Sequence, residues 1–239
     1  MRRHKLTMAC IALLASGCAP RGEQADAASI RTARQAALQF DQRMAREIIT
    51  RLQRDEDPVA VWLAYADHVP DWGRGISNDA MVEFSRTALG VRNPANAPDD
   101  WERQQMEQMS FMLDTGIDPE TLDVAEIRQE GEEKVFRWMR PILMTEECLA
   151  CHGEQIDPRV TLLLGQEYPL DEATGYSANQ LGGAYSVRQV LSVGDKPPPP
   201  WSEIPAPVMT PADARATDDA PLVQTPPAGP PEIPLDDPP

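Results

Sequence analysis

Lys134-Val135-Phe136-Arg137-Trp138-Met139-Arg140 interrupts a chain that is helical in pattern up to that point. Its aromatic and β-favoured residues read as a strand. A second strand is expected around Leu181 to Val190, after a turn at Gly175-Tyr176. Helices followed by short strands argue for an α+β domain.

Working back towards the N-terminus, Ile30, Ala33, Ala37, Phe40, Met44, Ile48 and Leu52 recur every three or four residues. That spacing places them on one face of a long helix. Ser29 suits its N-cap, and neither Pro nor Gly intervenes before Asp57. The apolar stripe is expected to pack into the core, with a homodimer seam as the second use. Asp57-Pro58 offers a second helix start, which Pro70 should end. The segment 77–90 is mixed, and the turn-rich run from Arg92 to Pro98 reads as a loop. A third helix is expected over Asp100 to Leu113, stopped by Gly116 and Pro119.

Both ends differ in character from the middle. Arg2, Arg3 and Lys5 precede a short apolar run from Met8 to Ala15, too short for the roughly 20 residues of a membrane span. This is the pattern of a secretory signal. Ala15-Ser16-Gly17-Cys18 resembles a bacterial lipoprotein cleavage box, in which Cys18 would become the lipidated first residue. The expected organisation is therefore a signal over 1–17, a tether over 18–28, a domain over 29–193 and a disordered, acidic, Pro-rich tail over 194–239. The tail has too little apolar surface to offset the entropy of ordering it.

Charge narrows the partners. The chain carries a net charge of −16, and loses three further cations if Arg2, Arg3 and Lys5 leave with the signal. Such a chain is repelled by phosphate backbones, which argues against nucleic acid. It also has no electrostatic attraction to anionic lipid, so membrane attachment would rest on the lipid at Cys18.

Cys10 falls in the signal and Cys18 at its end, leaving Cys148 and Cys151 in the rest of the chain. A disulfide scaffold would use more. Cys148-Leu149-Ala150-Cys151-His152 has the form of a c-type haem attachment sequence. Two thiols at this spacing can add to the vinyl groups on one porphyrin edge, and the next residue turns an imidazole to the iron. A thioredoxin-like redox pair would need a βαβ setting. Zinc would need a fourth ligand. A plain disulfide leaves His152 without a reason. The residues favour one covalently attached haem c, with His152 as proximal ligand.

Arg137-Trp138-Met139-Arg140-Pro141-Ile142, followed by Cys148 to Gly153, resembles a known family. It is the PAS-like, single-haem c-type domain once catalogued as of unknown function, found in bacterial periplasmic sensors and as stand-alone proteins. Arg86-Thr87, Arg92 to Asn96, Tyr168 to Asp171, Ala173 to Tyr176 and Gly182 to Val187 add to the resemblance, which covers residues 30–193. It implies an antiparallel sheet flanked by helices, with a long N-terminal helix. Family members carry a Cys at the position of Tyr65, so the second iron ligand does not transfer. His68, one helical turn on, is the first candidate for it, and Tyr65, through its phenolate, is the second. Methionines such as Met44 or Met106, or an open site, are further alternatives. Arg86, Arg92 and Arg140 are candidate partners for haem propionates, because guanidinium and carboxylate pair in a forked geometry.

These readings lead to a periplasmic, lipid-anchored haem module without enzymatic activity. It would sense redox state or a small ligand and act on a redox or signalling partner. A small electron carrier is the alternative, and a peroxidase-like enzyme a third.

Overall fold

The structure is a computed structural model that describes residues 24–203. The expected signal, Cys18, residues 19–23 of the expected tether and residues 204–239 of the expected tail lie outside the described residues.

Helix α1 (Ala27–Met44) continues through one π-helical turn, Ala45–Ile49, into α2 (Thr50–Gln53). Its stripe behaves as the periodicity implies, since Ala33, Ala37, Phe40 and Ile48 are buried. The N-cap differs. Asp26, not Ser29, closes the helix, accepting from the Ala28 and Ser29 N–H groups at 2.8 and 3.0 Å. Ser29 lies inside the first turn and donates its hydroxyl to the same carboxylate at 2.7 Å. A charged acceptor at the positive end of a helix outcompetes a hydroxyl three residues later.

Helix α3 (Pro58–Ala80) begins where Asp57-Pro58 predicts, but runs straight through Pro70. An interior proline costs a helix about 3 kcal/mol. Tertiary packing offsets that here, because Val69 and Ile76, on either side of Pro70, are both buried in the same core. Met81 ends the helix in the left-handed region at φ 54°. The chain then enters β1 (Glu83–Thr87), a strand within the segment that the sequence left mixed.

Helix α4 (Asp100–Asp114) is closed by a capping box of Asp99 and Glu102. Asp99 also reaches the buried Arg137 guanidinium at 2.8 Å. Asp99→Ala should therefore cost more than the ~1 kcal/mol of an ordinary cap. Urea unfolding with and without the substitution measures it, and a loss below half of that value would contradict the double role.

The strands β2 (Val124–Glu130), β3 (Glu133–Leu143) and β4 (Leu181–Val193) complete an antiparallel sheet in the order β1-β4-β3-β2. Gly131, at φ 62°, makes the tight turn between β2 and β3. Register pairing puts Phe84, Val187 and Trp138 in one row, and Arg86, Tyr185 and Arg140 in the next. Residues two apart on a strand share a face, so both rows lie under α1 and α3. There Phe84, Trp138, Tyr185 and Val187 pack against Ala33, Ala37, Phe40, Val69 and Ile76. On the opposite face, Met139 and Ala184 pack beneath Trp101, Met106 and Met109 of α4. The expected antiparallel sheet flanked by helices, with a long N-terminal helix, is the observed fold.

Candidate functional site

A single helical turn, α5 (Leu149–His152), follows the end of β3. Cys148 sits at its N-cap, its carbonyl accepting from the Cys151 and His152 N–H groups at 3.2 and 3.0 Å. One helical turn separates the two sulfur-bearing residues, so they share a face. Gly153 ends the turn, and a Cβ there would meet the Leu149 carbonyl oxygen at 2.7 Å. The chain can leave this close after His152 only through glycine.

Both cysteines are unpaired and half-buried. Burial pushes the Cys151 thiol up, with Arg92 acting in the opposite sense. Among the described residues, no three His, Cys, Asp or Glu side chains gather into a metal-holding group. Cys148, Cys151 and His152 do not form such a group with one another. The sheet has no βαβ unit either, since every strand pair is antiparallel.

His152 is oriented from behind. Its Nδ1 lies 2.7 Å from the Ala173 carbonyl oxygen. A carbonyl only accepts, so Nδ1 carries the proton and Nε2 keeps its lone pair for a metal. Such a partner on the far nitrogen is how proteins fix a ligating imidazole. Burial first, then the Arg92 charge, pushes the His152 pKa down from 6.5 to about 4.

The sign of the resulting pH dependence is determined. Above pH 6.5 the imidazole is neutral in both folded and unfolded chains, and stability is at its full value. As pH falls from 6.5 towards 4, the unfolded chain takes up a proton that the folded chain refuses, so stability drops. The haem-free chain should lose up to about 3 kcal/mol over this window, and His152→Gln should flatten that part of the profile. Equal slopes in the two proteins would contradict the burial of a neutral His152.

Arg92 binds the site's parts together. It pairs with Asp171 at 2.9 Å and donates to the carbonyls of Cys151, at 2.6 Å, and Ala173, at 3.2 Å. Asp171 in turn accepts from the Ala173 N–H at 2.8 Å. Tyr176 donates its N–H to the His152 carbonyl at 2.9 Å and meets the imidazole edge-on, 6.4 Å between centroids. Asp171, Ala173 and Tyr176 carry no individual role in the sequence pattern. No local signal could have done so, because the Ala173 contact spans 21 residues of chain.

The other candidates separate. Tyr65 packs against the cluster of Trp62, Val160 and Leu164 that also takes in Cys151. Its hydroxyl accepts from Arg86 at 2.8 Å. His68 lies one turn further along α3 and is exposed. Arg140 pairs with Glu120 at 3.0 Å and lies in the same row of the sheet as Arg86, with Tyr185 between them.

A family model described as Tll0287-like matches residues 23–189. The chain belongs to the Tll0287-like family. Its fold is also similar to the "crystal structure of the cyanobacterial heme-protein Tll0287", with a TM-score of 0.53 and 22% identity. The match covers 70% of this chain and 97% of that one. No curated protein matches. The Tll0287-like region runs from α1 to Gln189 in β4, so Tyr65, Arg86, Arg92 and the turn Cys148–His152 all fall within it.

Proposed function

We propose that this Tll0287-like chain is a haem-binding protein carrying one haem c, bonded through thioethers to Cys148 and Cys151 and held at its iron by Nε2 of His152. The observation that carries the reading is the pairing of two unpaired thiols on one helical face with an imidazole fixed through Nδ1. These donors fit a porphyrin edge and its iron, and they do not form a metal-holding group with one another. The fold's similarity to a cyanobacterial haem protein supports the same conclusion.

Bound haem supplies an iron that changes oxidation state and, where one face is open, takes up a small ligand. The chain's own residues do the rest. Ala173 and Arg92 hold the imidazole plane and the turn. Trp62, Val160 and Leu164 offer an apolar wall beside Cys151 that excludes water. His68 and Tyr65 are the candidates for a second ligand to the iron, and Tyr65 packs against the same cluster as Cys151.

Its biological role is then a periplasmic module, lipid-anchored through Cys18, that senses redox state or a small ligand and signals to a partner without catalysing a reaction. The acidic balance of the chain favours a second reading, a one-electron carrier steered to a basic partner. Ferric and ferrous absorption spectra, with and without carbon monoxide, decide between them for wild type, His68→Ala and Tyr65→Phe. A sensor of small ligands should bind carbon monoxide as wild type. A carrier should stay low-spin and refuse it until its distal ligand is removed. The absence of any haem spectrum would overturn both.

A further inference from the structure

Five arginines lie on the sheet's strands, and four of them meet acids. Arg128 pairs with Glu126 at 2.7 Å, Arg137 with Asp99 at 2.8 Å and Glu130 at 3.0 Å, and Arg140 with Glu120 at 3.0 Å. Arg188 gathers Glu83, Glu130 and Glu133 between 2.5 and 3.0 Å. Arg86 is the exception. It is half-buried, yet in a chain with 38 acidic residues it meets no carboxylate among the described residues.

Its surroundings are aromatic. The guanidinium lies 4.7 Å from the Phe40 ring centroid and 5.7 Å from that of Tyr65, and its one hydrogen bond goes to the Tyr65 hydroxyl. Among the described residues, the only sealed-off side-chain nitrogen or oxygen without a partner is Nε of Arg137. The spare donors of Arg86 therefore open onto accessible space. A guanidinium keeps its charge at every physiological pH. Drawing it inward without a counter-charge is costly, so this position is built for an anion that the described chain does not itself provide.

We infer that Arg86, steadied by Tyr65, is a carboxylate-binding position of the site. Aromatic flanks suit a monoanion, whose desolvation costs less than that of a doubly charged phosphate, and the planar fork matches a carboxylate in two parallel hydrogen bonds. Tyr65 also packs with the Cys151 cluster, so the guest would lie beside the Cys148–His152 turn. Two sources share this chemistry: a propionate of the attached porphyrin, which rests on the haem reading above, and a free carboxylate solute.

The test uses holoprotein from a host able to attach c-type haem, as wild type, Arg86→Leu, Arg86→Lys and the surface control Arg128→Leu. Haem loading is first read by intact mass. The midpoint potential is then followed against pH, and acetate is titrated into each protein. A bound propionate loses its counter-charge in Arg86→Leu, so the break in its potential–pH curve moves up by about one unit or more, and acetate does nothing. A free carboxylate site instead shows a saturable spectral response to acetate, at least tenfold weaker in Arg86→Leu. In either case Arg86→Lys, which keeps the charge and loses the fork, should be intermediate, and it stands in if the Leu variant does not fold. Identical potential–pH curves and identical acetate responses in wild type and Arg86→Leu, at equal haem loading, would overturn the inference. If no protein carries haem, the haem reading fails separately, and tryptophan fluorescence of the haem-free chain during the acetate titration still tests Arg86.

Discussion

Exchanging Cys148 and Cys151 together for serine should abolish denaturation-resistant haem, reducing it from one per chain to none. Serine oxygen cannot form the thioether, and no other described cysteine is near to replace either. Single exchanges should leave one thioether, and the alkaline pyridine spectrum should shift accordingly. The fold itself should survive. Neither cysteine is among the buried residues of the main core, where Phe40, Trp138 and Val187 carry the packing. Far-ultraviolet circular dichroism of the double variant should therefore match that of the haem-free wild type. Loss of secondary structure alongside loss of haem would mean that the turn Cys148–His152 holds the fold together, contrary to this account.

Trp138→Ala should have the largest effect on stability. The indole is fully buried at the middle of β3, under α1 and α3. Its Nε1 donates to Asp123 at 2.9 Å, and Asp123 also holds Arg34 through two hydrogen bonds. Truncation removes the ring, leaves a cavity and deprives Asp123 of one donor. The cost should be about 3–5 kcal/mol, a large share of the 5–15 kcal/mol that holds a typical domain. Trp138→Phe keeps most of the volume and loses the hydrogen bond, and should cost about 1–2 kcal/mol. Urea midpoints at unchanged slope give both numbers. A Trp138→Ala loss under 1 kcal/mol would place the core elsewhere.

What could be read from the sequence was what local spacing encodes. The stripe from Ile30 to Leu52 gave α1, and Lys134 to Arg140 gave β3. Strand β2 was missed because Val124-Ala125-Glu126-Ile127-Arg128-Gln129-Glu130 lines an edge of the sheet and carries charge in place of an apolar alternation. Pro70 misled for a related reason. Its cost is local, whereas the contacts of Val69 and Ile76 that offset it come from α1 and the sheet. The same division runs through the site. Cys148, Cys151 and His152 declare themselves within five residues. The bolts that aim them do not, since Arg92 reaches Cys151 across 59 residues and Arg86 reaches Tyr65 across 21. Tyr65 and His68 sit one helical turn apart, and only the packing of Trp62 and Cys151 distinguishes them.

The most direct test of the central claim is the mass of the proteolytic peptide spanning Cys148 to His152, taken from protein produced in a host with the c-type maturation machinery. That peptide should carry the mass of one haem, with both sulfurs protected from alkylation. A peptide at its unmodified mass, with both thiols open to alkylation or joined to each other, would contradict it.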